Sequence, residues 1–142
     1  PSHVQEIWPN GWHVPSVEEW EQLLNYVGSQ TQYRSNPANK DFIAKSLAST
    51  SSWKKTESNY SVGFEQGRYD ATGFSALPAG GFFDEIEGFG EESYFWSYMH
   101  IQQGYYTATD AWACCNLSYN SYSVNKRRYD HSVFLSVRCV KD

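Results

Sequence analysis

The sequence is poor in several residue types, and each shortage excludes something. Its 142 residues include only three cysteines, with Cys114 and Cys115 adjacent and Cys139 near the end. Neither a CxxC pair nor a cysteine–histidine ladder exists, which argues against structural zinc. In a secreted chain, three thiols are most simply one pair and one left over. Ten glycines and five prolines are too few for a collagen-like chain, and no heptad pattern points to a coiled coil. No stretch approaches the roughly 18 consecutive apolar residues of a membrane span. Positive charge is scarce too: eleven Lys and Arg against sixteen Asp and Glu leave a net charge of −5. That balance disfavours nucleic acid as a main partner, because phosphate binding rests on a basic surface. Residues 1–14 lack both a basic start and an apolar run, and position 1 is Pro, so the chain reads as a processed form or an excised domain.

What the sequence does have is aromatic rings. Phe, Trp and Tyr make up 18% of it, enough bulk to offset chain entropy and to build one domain with a real core. Tyrosine leads, and it combines a large contact area with few rotors and a polar tip. A Tyr-, Ser- and Asn-rich surface suits recognition more than catalysis; the plainer alternative is a sheet that simply carries aromatics on its strands.

Local patterns give an α+β order. Ser16 with Glu19 three residues on is a capping box, Val17, Trp20, Leu23, Leu24 and Val27 form an apolar stripe, and Gly28 supplies a stop, which predicts a helix over 16–27. Asn36-Pro37 followed by Phe42, Ile43 and Leu47 predicts a shorter helix over 38–48. Residues 54–72 show no sustained period and read as loop. The glycine- and alanine-rich run 73–82 suits a tight crossing of backbone segments. Strands are expected at 94–99, 111–119, 121–126 and 133–140, the last with Val133, Leu135, Val137 and Cys139 alternating to one side. No internal repeat or second-domain boundary interrupts residues 1–142.

Three segments, in order, carry a family resemblance: Gly11-Trp12-His13-Val14-Pro15-Ser16, Gly73-Phe74-Ser75-Ala76-Leu77-Pro78-Ala79-Gly80-Gly81, and Ser136-Val137-Arg138-Cys139-Val140-Lys141-Asp142. With Phe95-Trp96-Ser97 and Ala111-Trp112 between them, the chain resembles the Fibrobacter succinogenes major paralogous domain, found in surface proteins and lipoproteins of gut and rumen bacteria. The resemblance implies a C-type-lectin-like fold, related to formylglycine-generating enzymes and to receptor-binding proteins diversified by retroelements. Two helices would then flank a small, mainly antiparallel sheet whose long loops form a ligand face. The family's usual Cys-Pro before Gly-Trp-His is Trp8-Pro9 here, so Cys139 lacks the partner that the family would give it. A bridge from Cys114 or Cys115 would resemble the inner disulfide of C-type lectins, and a buried free Cys139 thiol is the alternative. Tyr98-Met99-His100 and Phe134-Leu135 also depart from the family pattern.

Catalysis finds little support. None of His3, His13, His100 and His131 has metal-ligand spacing, and His13 reads as pinning the turn before the first helix. The adjacent Cys114-Cys115 does not reproduce the thiol arrangement of formylglycine-generating enzymes. Asp84, Glu85, Glu87, Glu91 and Glu92 around Gly88 and Gly90 could offer oxygen ligands to calcium, although a solvated acidic loop is the better reading. No other cofactor is implied. The informative region is 94–131, which holds seven of the eleven tyrosines (94, 98, 105, 106, 119, 122 and 129) among Ser, Asn, Gln and Thr. Trp96 and Trp112 are expected in the core. Tyr98, His100, Tyr105, Tyr106, Tyr119, Tyr122 and Tyr129 are the expected ligand contacts, with Lys126 and Arg128 adding charge. The expected function is non-catalytic binding of a glycan or protein by a secreted or surface-displayed, adhesin- or receptor-like domain. A structural or assembly module of a surface lipoprotein or fimbrial tip is the alternative, and an enzyme of formylglycine-generating type the weakest reading.

Overall fold

The computed structural model describes residues 9–64, 69–97, 112–129 and 132–142, with the backbone alone for 112–114. It is an α+β fold of two helices and small antiparallel sheets. The capping box forms as the sequence predicts. Ser16 Oγ accepts from the Glu19 amide at 3.1 Å, and the Glu19 carboxylate accepts from the Ser16 amide at 2.8 Å. Helix α1 then runs Val17–Ser29. Its apolar stripe buries Trp20 and Val27 fully and Leu23 and Leu24 in part. Gly28 does not end the helix; it lies buried inside the last turn. A Cβ there would sit 2.7 Å from the Lys40 carbonyl oxygen, so glycine serves close packing rather than a left-handed cap.

The second helix is far shorter than 38–48. α2 is one turn, Ala44–Leu47. The Asn36 side chain accepts from the Ala38 amide and the Asn39 side chain from the Asp41 amide, both at 3.0 Å, and these turns hold residues 36–41 out of the helix. α2 is nonetheless central: Ile43, Ala44, Leu47 and Ala48 join Trp20, Val27, Val62, Ala76, Phe95, Cys115 and Leu117 in one core.

The main sheet orders β4 (Glu92–Ser97), β5 (Trp112–Ser118) and β6 (Asn125–Arg128), all antiparallel. Phe95 pairs with Cys115 and Ser93 with Leu117, so these side chains share the face toward the core. Tyr94 faces the other way, where it meets Phe83 and Tyr129. Trp96, beyond a register shift in which β5 carries the extra residue, is half-buried and outside the core cluster; Phe95 holds the place expected for it. The Trp112 side chain lies outside the described residues. β6 begins at Asn125 rather than Ser121, because Ser121 Oγ accepts from the Ser123 amide and shapes a turn.

Two small ribbons complete the fold. β2 (Gly81–Phe82) pairs with β3 (Ile86–Glu87), and β1 (Trp12–His13) pairs with β7 (Val140–Lys141). The run 73–82 makes the tight crossing expected of it: Ala76 bridges Ala48, and Gly80 bridges Ser93. A Cβ on Gly80 would lie 2.1 Å from the Glu87 carbonyl oxygen, and its φ of 66° also favours glycine. The predicted strand 133–140 is broken, because the segment changes partner: Phe134 bridges Phe82 antiparallel, while Ser136 bridges Phe95 in parallel.

Cys115 and Cys139 are not bridged to one another. Cys115 is buried, and Cys139 carries a free thiol. The Cys114 side chain lies outside the described residues.

His13 pins the junction of β1, α1 and β7. Its Nδ1 lies 2.6 Å from Asp142 Oδ1 and its Nε2 2.9 Å from Glu19 Oε1. An imidazole between two carboxylates is most stable with both nitrogens protonated. The hydrogen bond to Glu19, then that to Asp142, therefore raises its pKa above the ordinary 6.5.

Candidate functional site

Three aromatic side chains from distant parts of the chain gather at one end of the molecule. Phe42 and Tyr122 stack nearly parallel, with ring centroids 3.9 Å apart and planes 10° apart. Tyr60 meets Phe42 edge to face at 5.6 Å. Phe42 is half-buried, whereas Tyr60 is 43% and Tyr122 42% exposed, so the outer rings face solvent on an apolar base.

Backbone hydrogen bonds set this platform. The Ala44 amide donates to the Tyr122 carbonyl at 3.1 Å, Val62 to Ser121 at 3.0 Å and Gly63 to Tyr119 at 2.6 Å, tying the β5–β6 turn to the two loops behind it. Ser35 links the other two rings, its amide donating to the Phe42 carbonyl at 2.8 Å and its hydroxyl to the Tyr60 carbonyl at 3.0 Å. Gly63 is required there, since a Cβ would lie 2.1 Å from the Lys54 carbonyl oxygen. Tyr60 has a φ of 64°, a conformation uncommon for a bulky residue, and it is held by these surroundings.

Tyr119 lies on the same turn, half-buried beneath Lys54, whose Nζ stands 4.8 Å from the ring centroid. Lys54 also pairs with Glu91 at 2.7 Å, and that hydrogen bond raises its pKa. Past Gly63 the loop opens onto a cleft of about 350 Å³ lined by Trp53, Phe64 and Tyr69 together with Ser52, Lys55 and Glu57. Under it the nearly buried Lys45 donates to the Phe64 carbonyl, with its Nζ 5.1 Å from the Tyr69 ring centroid.

Those of the expected ligand-binding residues that are described do not form one patch. Tyr119 and Tyr122 belong to the platform end. Tyr129 lies past the opposite end of β6, half-buried against Phe83 at 5.0 Å and Tyr94 at 5.9 Å. Burial pushes the Tyr94 phenol well above its usual pKa. Between these ends Lys126 is exposed but paired with Glu21 of α1, and Arg128 is exposed on the same strand. Tyr98, His100, Tyr105 and Tyr106 lie outside the described residues. Phe42 and Tyr60 are the members that sequence reasoning missed. Phe42 reads as the buried side of a helix, and Tyr60 as one ring in a loop without periodicity.

The five carboxylates of the 84–92 segment point to different duties. Glu91 pairs with Lys54, Glu92 accepts from Asn116 Nδ2 at 2.7 Å, and Asp84, Glu85 and Glu87 are exposed around the β2–β3 ribbon. Among the described residues no three His, Cys, Asp or Glu side chains converge on a point that could hold a metal ion. No described helix is long and apolar enough to cross a membrane.

Fold and site together define a small α+β domain with a preformed, solvent-facing aromatic platform. The chain belongs to the Fibrobacter succinogenes major domain family, whose model matches residues 2–141. Comparison with curated proteins and with solved structures gives no significant match.

Proposed function

We propose that this domain is a non-catalytic binding module of a secreted or surface-displayed protein, adhesin- or receptor-like, and that its ligand is a glycan or a protein. The observation that carries this reading is the Phe42–Tyr122 stack with Tyr60 at its edge. Rings fixed against one another lose little freedom on binding, so more of the contact energy appears as affinity. Their open surfaces suit the apolar side of a sugar ring or a side chain of a protein partner, and Ser and Asn around them supply adaptable hydrogen bonds. The C-type-lectin-like fold that the family resemblance implies would put long loops to the same use as a ligand face.

A glycan array and a panel of cell-surface proteins, probed with the intact domain, test the reading. For any ligand found, Tyr122→Ala should weaken binding by about thirtyfold, the loss of some 2 kcal/mol expected of a central anchor. Its melt should stay close to that of the unaltered domain. Affinity unchanged in both Tyr122→Ala and Tyr60→Ala would remove the platform from the site. A melt lowered as far as that of a core substitution would make the platform framework.

A further inference from the structure

A second surface, on different elements, carries an inference that does not depend on the platform. Phe82 pairs across β2–β3 with Ile86, and on its other side exchanges two 2.9 Å backbone hydrogen bonds with Phe134. Directly paired residues project to the same face of a sheet, so Ile86, Phe82 and Phe134 form one row across β3, β2 and the segment bridged to β2 at Phe134. The Phe82 and Phe134 rings touch at 5.9 Å. The row is open to solvent, with Ile86 71%, Phe82 42% and Phe134 69% exposed.

The opposite face of the ribbon is packed: Leu135 and Phe83 crowd Gly81, leaving less than 3 Å to a Cβ there. Apolar residues are thus spent on both faces, and among the described residues only one face is covered. Asp84 and Glu85 form the turn of the ribbon at one end of the row, while Glu87, paired with Gly81, projects to the opposite face; all three are exposed. Among the described residues none of the three takes part in an ion pair. An apolar row rimmed by charge of one sign is complementary to apolar side chains set beside charge of the other sign.

We propose that this row and its acidic turn dock a short segment of a partner protein in which two or three apolar side chains lie next to lysines or arginines. A second copy of the chain fits less well. It carries the same net charge of −5, and in its basic run Lys126-Arg127-Arg128 the first residue is held by Glu21 and the second by Tyr129. Contact between copies would bring acidic turns together more than it would neutralise them.

The test is an amide-resolved NMR titration of the intact domain with a short peptide alternating Lys with Val and Phe, beside its Glu-for-Lys counterpart. Saturable shifts at Phe82, Ile86 and Phe134 are expected with the lysine peptide alone, weakening as salt rises. Ile86→Ser and Phe134→Ser should each raise Kd about tenfold, and Asp84→Lys with Glu85→Lys should do the same. Using two apolar variants keeps the test meaningful if one fails to fold. Equal binding of the glutamate peptide, shifts confined to other residues, or a Kd indifferent to all these changes would overturn the proposal. Sedimentation showing a dimer that Ile86→Ser dissolves would overturn it in favour of self-association.

Discussion

Two of the three-ring clusters among the described residues have opposite fates. Trp20, Phe74 and Phe95 meet at centroid distances of 5.5–5.8 Å under helix α1. Phe42, Tyr60 and Tyr122 meet at 3.9 and 5.6 Å at the end of the molecule. Apart from the Phe42–Tyr122 stack, ring spacing does not separate the two. What differs is cover and chemistry: Trp20 and Phe95 are buried, and Arg138 closes over Phe74 at 4.6 Å. The outer cluster is capped by nothing described, and two of its three members carry hydroxyls that water can satisfy. Clustering therefore holds the fold together in one place and stiffens an open surface in the other. The consequence is that stability and binding should be separable by substitution.

The sharpest break in that comparison comes from the inner cluster. Phe95→Ala should lower stability by about 3–5 kcal/mol, through lost burial and the cavity left behind, and a denaturant melt measures it. Since a domain of this size has only about 5–15 kcal/mol in total, much of it could unfold on warming. In the outer cluster Tyr122→Ala should remove only the stack on Phe42, about 1 kcal/mol, while ligand affinity falls thirtyfold by calorimetry. If the two variants melt alike, the distinction between clusters collapses.

Smaller changes refine the support of the inner cluster. Ser16→Ala removes the cap of the helix that carries Trp20 and should cost about 1 kcal/mol in the same melt. Proton linkage at His13 should be smaller still, because Glu19 is partly and Asp142 well exposed, and solvent screens them. The His13 pKa is raised in the folded state, so its contribution is full below the ordinary 6.5 and is lost as pH rises through the folded value. The Glu19 pKa is lowered, chiefly by the Ser16 amide, so its contribution is full above the ordinary 4.5 and is lost on acidification through the folded value. A series of melts against pH should show both slopes, and His13→Gln should flatten the upper one.

Legibility in the sequence followed the range of the interactions. Helix α1 was readable because its cap, stripe and first turn all lie within 16–29, and its capping box forms as spaced. The α+β order was readable for the same reason. The end of α1 was not, since the role of Gly28 depends on Lys40 across the chain. Helix 38–48 shrank to one turn because asparagine side chains, whose choice between capping and turning is local but two-sided, took the turn. The alternation of 133–140 is real as far as Leu135, yet a strand needs one continuous partner, and this segment has two in succession. The platform was the least legible feature. Its rings are at positions 42, 60 and 122, and only Tyr122 lay in the region whose composition pointed to recognition. Tyr129 shared that composition and went to a half-buried cluster instead, because composition does not say which end of β6 a ring will reach.

The pairing of β1 with β7 also has a mechanical meaning. Trp12 lies opposite Lys141 and His13 opposite Val140, and the Asp142 amide donates to the Gly11 carbonyl at 3.0 Å. In an antiparallel pair, the start of β1 and the end of β7 lie side by side. A pull applied between residues 11 and 142 would therefore open the ladder one rung at a time, like a zipper, rather than shear all rungs together. The first resistance met would be this short ladder and the ion pairs of His13, well before the sheet or α1 bore any load. Because those ion pairs weaken as the imidazole loses its proton, the force at which the domain starts to yield should fall as the surroundings become alkaline.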